Sequence, residues 1–232
     1  FTGCSVASGI WYLTGMNAAW FPWNLIRLVI NITDMETPTL SLCQQLCLLS
    51  VRPEKGRLYQ ASTNIQYGLV GAALMDLSLA GRIDFDDKLL IVKDSSAFNE
   101  EHLDFVLSRI NGSERNYRLR RWIRGQKINN ACFRNEIINS LVEKNFIRIE
   151  RHRFLGLIPY RKLVLSDRRY YNKLTDSLKK MLRYSRTDDE SMNALLILVF
   201  LSRIHYRLFP GRNERKMAVS LAKKLIKDDR IG

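Results

Sequence analysis

The apolar positions of this chain are densest in one stretch, Gly68-Leu-Val-Gly-Ala-Ala-Leu-Met-Asp-Leu-Ser-Leu-Ala-Gly-Arg82. Between Leu69 and Leu79 only Gly71, Asp76 and Ser78 interrupt it. A helix that is apolar on nearly every side has to be buried in protein. Gly68, Gly71, Ala72 and Ala73 make one end slim, so neighbouring helices can approach closely. Gly81 stands where a left-handed C-terminal cap belongs, and Arg82 suits the negative end of the helix dipole. A bilayer needs about 20 apolar residues, more than this interrupted run supplies. The pattern predicts the central helix of a soluble helical domain.

The remaining elements follow from the same reading. Leu40, Leu42, Leu46, Leu48, Leu49 and Val51 predict a mostly buried helix capped by Thr39 or Ser41, ended by the turn Arg52-Pro-Glu-Lys-Gly56. After the central helix, Ile83-Asp-Phe85 alternates as a short extended piece, and the apolar Leu89–Val92 follows. Asp94-Ser-Ser is expected to cap a helix carrying Leu103, Val106 and Leu107. Ala131–Lys144 predicts an amphipathic helix with Phe133, Ile137, Ile138, Leu141 and Val142 on one side. Residues 146–150 alternate at period two, and Phe154–Ile158 and Leu163–Leu165 are β-like, so a hairpin is expected there. Leu174, Leu178, Met181 and Leu182 mark another helix. Ala194–Leu201 is unbroken apolar sequence, roughly 12 Å as a helix, hence core. Pro210-Gly211 breaks the chain before a closing helix with Met217, Val219, Leu221, Ala222 and Leu225.

Residues 1–34 differ in character. They open on Phe and carry Trp11, Trp20 and Trp23 with one basic residue, Arg27. They read either as an interfacial aromatic anchor or as a non-native upstream extension with Met35 the natural start. Residues 35–232 read as one domain.

Charge changes the picture most. Lys and Arg number 37 against 23 Asp and Glu, a net charge of +14, which points to a polyanionic partner. Arg115 to Arg169 holds 15 of the cations and four acids. Cys43 and Cys47 share a helix face and read as core thiols of a reducing, cytoplasmic compartment. His102, His152 and His205 are scattered without metal-ligand spacing. No phosphate-cradling glycine loop or GxSxG elbow is present. Asp84, Asp86 and Asp87 read as a solvated turn. No catalytic residue, metal or cofactor is expected, and the chain is not read as an enzyme.

Two polyanions fit the basic helix–hairpin unit. In a winged-helix layout the helix, with Asn129, Asn130, Asn135 and Asn139, would read DNA and the hairpin would hold phosphates. On a membrane, Phe154, Leu155, Leu157 and Ile158 would insert, flanked by Arg148, Arg151, Arg153, Arg161 and Lys162. The hairpin would alternatively pack on its own domain or on a partner subunit.

Leu40-Ser-Leu-Cys-Gln-Gln-Leu-Cys-Leu-Leu, then Gly56, then Gly68 to Ile83, resembles the N-terminal half of the Golgi phosphoprotein 3 family. Leu141-Val-Glu-Lys144 before a hairpin, Ala194-Leu-Leu-Ile-Leu, Leu208-Phe209 and the Lys-rich closing helix extend the likeness in order over residues 38–228. The resemblance implies a mainly α fold: a helix-bundle core surrounded by amphipathic helices, with one protruding β-hairpin. It also implies a non-enzymatic peripheral membrane protein, on the Golgi if eukaryotic. Its eukaryotic members bind phosphatidylinositol 4-phosphate and tether glycosyltransferase tails as cargo. Of four lipid-pocket positions, three fall on Ala61, Val70 and Ala131, and the fourth is kept as Arg134. The hairpin, at Phe154, Leu155 and Leu157, matches the family's membrane-inserting element, which also forms homo-oligomers.

Overall fold

The computed structural model describes residues 40–58, 63–86, 89–98, 100–124, 128, 130–154, 157–184 and 189–228. The extension at 1–34 lies outside them. Helix α1 (Leu42–Ser50) opens on a reciprocal capping box. Ser41 Oγ accepts the Gln44 N–H (3.2 Å), and Gln44 Oε1 accepts the Ser41 N–H (3.0 Å). Ser41, not Thr39, is therefore the cap. Every residue of α1 is buried. Strands β1 (Val51–Arg52) and β2 (Arg57–Leu58) then pair across the Arg52–Gly56 turn.

The central helix is α2 (Thr63–Leu79), which starts five residues before Gly68. It packs against α1 and against four helices that follow it in the chain. Gly68 is where Ser202 and Leu46 close in; a Cβ there would overlap the Ser202 hydroxyl. Gly81 adopts φ +68° and closes the helix as expected: its N–H reaches Ser78 O (3.0 Å), and the Arg82 N–H reaches Leu77 O (2.9 Å).

Beyond α2, β3 (Ile83–Asp86) and β4 (Leu89–Val92) form a small antiparallel hairpin. Helix α3 runs from Glu101 to Asn111, and its N-cap position is Glu100. Asp94 therefore does not cap it. Six residues too early, Asp94 pairs with Arg82 and accepts the Ser96 N–H (2.8 Å), making a local turn of its own. A short helix, α4 (Leu119–Ile123), precedes α5 (Asn130–Glu143). Strands β5 (Ile147–Phe154) and β6 (Ile158–Leu165) form the long hairpin, followed by α6 (Arg168–Tyr184), α7 (Glu190–Leu201), α8 (His205–Leu208) and α9 (Arg212–Asp228). The fold is mainly α with a hairpin, as expected, and the described residues add two smaller two-stranded ladders. No helix among the described residues is long and apolar enough to cross a membrane.

One polar knot interrupts the core. Asp76, on α2, accepts the N–H groups of Leu42 (3.0 Å) and Cys43 (2.9 Å). With Ser41 on Gln44, the first three N–H groups of α1 are all satisfied. Gln44 donates to Ser140 on α5 (3.0 Å) and to Glu100 (3.2 Å), which also pairs with Lys144. Ser41 meets His102 of α3 at 3.4 Å. The knot thus ties α1, α2, α3 and α5 at one end of the bundle.

Candidate functional site

The β5–β6 register decides what each hairpin residue does. Cross-strand partners share a face and successive residues alternate. One face carries Ile147 opposite Leu165, Ile149 opposite Leu163, Arg151 opposite Arg161 and Arg153 opposite Pro159. At its root Ile147, Leu163 and Leu165 are buried in the core. Farther out the same face becomes a row of exposed arginines, and no acidic partner to Arg151, Arg153 or Arg161 is found among the described residues. Like charges directly opposite each other destabilise a ladder.

The second face behaves differently. Glu150 accepts from Arg148 (2.9 Å) and His152 (3.1 Å), and His152 stacks on Tyr160 with ring centroids 5.4 Å apart. The His152 bond, with help from Arg148, holds the Glu150 carboxyl below its ordinary range. Lys162 lies half-buried with its stem over Gly56, where a Cβ would overlap it. Beside it, the Leu163 N–H donates to Gly56 O (2.6 Å). The hairpin root is thereby stitched to the β1–β2 turn.

At the far end, Leu157 is 84% exposed and Ile158 61% exposed. Two large apolar side chains at a turn, Leu157 and Ile158, thus have little protein cover among the described residues. Phe154 pairs with Ile158 in the ladder; its side chain, and Leu155, lie outside the described residues. Eight residues per strand reach about 27 Å from root to tip.

Arg134 stands apart from this surface. It is half-buried on α5, close enough to Cys47 to favour its thiolate, though burial outweighs this and pushes the thiol up to about 12. Nine residues separate it from Glu143 at the end of α5, about 14 Å of helix. Val70 is fully buried, Ala131 is exposed, and Ala61 lies outside the described residues. The six basic residues singled out by sequence therefore divide: Arg151, Arg153 and Arg161 converge, Arg148 and Lys162 occupy the opposite face, and Arg134 sits elsewhere.

A second basic feature was missed by the sequence pattern. Arg118, Arg120, Arg121 and Arg124, with Leu89, Asn116 and Tyr117, line a cleft of about 500 Å³. Its signal was the spacing of Leu119, Trp122 and Ile123, one turn of buried residues too short for periodicity to mark as a helix.

Similarity to known proteins agrees with the architecture. Over 88 residues the chain is 34% identical to the vacuolar protein sorting-associated protein 74 of Eremothecium gossypii, a match covering 33% of this chain and 27% of that protein. A family model described as Golgi phosphoprotein 3 (GPP34) matches residues 42–231. That match starts at the first residue of α1 and runs past the end of α9, and on it the chain belongs to the Golgi phosphoprotein 3 family.

Proposed function

We propose that this chain is a non-enzymatic peripheral membrane protein that docks on anionic lipid through the β5–β6 hairpin. The observation that carries the reading is the exposed Leu157–Ile158 tip beside three arginines that have no acidic partner among the described residues. Each cation near an anionic leaflet contributes about 1 kcal/mol. Burying Leu157 and Ile158 adds about 1.5–3 kcal/mol each. Set against at least about 4 kcal/mol of lost translational and rotational freedom, the sum supports reversible association rather than permanent anchoring.

Family membership supports a Golgi location on the cytoplasmic side and an adaptor role toward protein cargo. The name of the Eremothecium gossypii relative refers to protein sorting, which agrees with that role. Head-group specificity for phosphatidylinositol 4-phosphate is the weaker part of the reading. Arg134 is the one matched basic position, and the buried Val70 offers no cation. Nucleic acid fits less well, because α5 presents Glu136 and Glu143 beside Asn135 and Asn139, with Arg134 its single cation.

Co-sedimentation with phosphatidylcholine vesicles, with and without phosphatidylserine or phosphatidylinositol 4-phosphate, tests the reading beside a duplex-DNA shift at physiological salt. Anionic-lipid-dependent pelleting is expected. Tight DNA binding without lipid dependence would overturn it, and concentration-dependent self-association that hides the tip would reassign the hairpin to a subunit interface.

A further inference from the structure

Away from the hairpin, the stretch from Arg115 to Asn135 carries seven cations and no acid. Four of them gather at α4. Leu119, Trp122 and Ile123 bury one side of this single turn, and Arg118, Arg120, Arg121 and Arg124 are all exposed on the other. Strand β4 fixes the facing wall of the cleft: the Leu90 N–H donates to Tyr117 O (3.1 Å), and Leu89 bridges Arg118. Leu89 is 37% exposed, so a large apolar side chain lies open beside the arginines.

Arg121 is held in place by the core. Its guanidinium lies over the Tyr117 ring, 4.1 Å from the centroid, and that ring meets the buried Trp122 edge-on at 6.1 Å. A cation–π contact uses none of the five guanidinium donors. Like charges three or four residues apart repel on a helix, and the four arginines have no acidic partner among the described residues. Asp86, across the ladder from Leu89, does not line the cleft.

The placement of the charges selects the kind of ligand. At about 100° per residue, Arg120, Arg124 and Arg121 fan over about 100° of the outer side, and Arg118 to Arg124 rise about 9 Å along it. The four positions form a spread row rather than a ring around one point. Carboxylates on alternate residues of an extended peptide lie on one face, about 7 Å apart. Arginine forks take carboxylate oxygens two at a time. An apolar side chain on the same face of such a peptide would rest on Leu89.

We propose that this cleft docks a linear segment of a protein partner, one that carries two or more carboxylates and an apolar side chain. Arginine and tyrosine are the residues that concentrate at protein interfaces. The cleft shares no residue with the hairpin, so the proposal stands or falls apart from the membrane reading.

Selection of a random twelve-residue peptide library, displayed on phage, against the immobilised full chain tests it. Sequences with at least two Asp or Glu residues around a Leu, Ile or Phe are expected to enrich. The leading peptide, synthesised and titrated by fluorescence anisotropy at physiological salt, should fill one site per chain. Arg118→Gln/Arg121→Gln should weaken it roughly tenfold or more, the scale of lost charge-assisted hydrogen bonds. Arg151→Gln/Arg161→Gln on the hairpin should leave it unchanged. All four of these side chains are exposed, and a melting curve on each variant checks the fold. No acidic enrichment, peptide binding indifferent to the cleft variant, or equal loss in the hairpin variant would overturn the proposal. So would cleft-dependent binding of duplex DNA or anionic vesicles that the peptide does not displace, which would assign the cleft to another polyanion.

Discussion

Arg151 and Arg161 face each other directly across the β5–β6 ladder, with no carboxylate set between them among the described residues. An acid at either position would give a cross-strand ion pair. Arg151→Glu should therefore leave thermal stability unchanged or raise it slightly, since opposite-charge pairs contribute roughly 0.2–1 kcal/mol. The same change removes one positive charge and adds a negative one. At about 1 kcal/mol per charge near a membrane, binding to anionic vesicles should fall on the order of thirtyfold. Stability and binding are expected to move in opposite directions. Vesicle binding that does not change would show that this face of the hairpin does not meet lipid.

Leu157→Asp tests the tip. Leu157 is 84% exposed, so the substitution removes no core contact and the melting temperature should hold. Pelleting with anionic vesicles should be lost, because an inserted carboxylate opposes both the apolar and the electrostatic contributions. A variant that still pellets like wild type would place the anchor elsewhere.

Gly56 is a turn residue whose replacement should loosen the hairpin root. Its φ is +61°, and a Cβ would overlap the Lys162 stem. Gly56→Ala should cost about 1–3 kcal/mol through strain and overlap together. Gly56→Ala/Lys162→Ala removes the overlap but keeps the φ, so it should recover only part of the loss in a urea titration. Full recovery would mean that φ contributes nothing; no recovery would mean that the overlap does not.

The sequence disclosed the helices whose apolar period is long or unbroken: α1, α2, α5 and α7 all lie close to where the pattern puts them. It disclosed less where structure depends on contacts distant along the chain. Asp76 looked like a flaw in an apolar run, and its reason, the otherwise uncapped N–H groups of Leu42 and Cys43, lies 34 and 33 residues away. Asp94 had cap chemistry but was taken by Arg82. The hairpin cations were visible as a group; only the register separates the converging Arg151, Arg153 and Arg161 from Arg148 and Lys162. Helix ends show the same limit. Gly81 announces its left-handed cap, whereas Asn145 (φ 60°) and Arg203 (φ 59°) hold the same conformation with the same pair of closing hydrogen bonds.

Arg203 yields a prediction of the opposite sign. A residue with a Cβ in the left-handed region carries a penalty of about 1 kcal/mol that glycine avoids. The closing bonds, Arg203 N–H to Phe200 O (3.0 Å) and Ile204 N–H to Val199 O (3.1 Å), are backbone only and survive the change. Arg203→Gly should stabilise the fold by up to about 1 kcal/mol, read as a rise in denaturation midpoint at constant slope. A fall would mean that the Arg203 side chain makes a contribution larger than the relieved strain.

Asp76 sets a pH dependence whose sign differs from that of the buried histidines. Burial pushes its carboxyl from an ordinary 3.8 up to about 7, against the pull of the Cys43 and Leu42 N–H groups. Between those values the folded chain holds a proton that the unfolded chain has released. This contribution to stability is therefore fullest below pH 3.8 and falls as pH rises to about 7. Burial lowers His102 and His205 from 6.5 to about 4. Their contribution is fullest above pH 6.5 and is lost as pH falls toward 4, because the unfolded chain then binds more protons. In wild type the two trends offset each other. Asp76→Asn removes one of them, so its stability should climb more steeply than that of wild type between pH 4 and 7. Asp76→Ala should also lose about 2 kcal/mol or more at any pH, having stranded two buried N–H donors. Urea midpoints of wild type and Asp76→Asn across this range measure the difference. Parallel curves would show that Asp76 stays ionised in the folded protein, with the two N–H groups outweighing its burial.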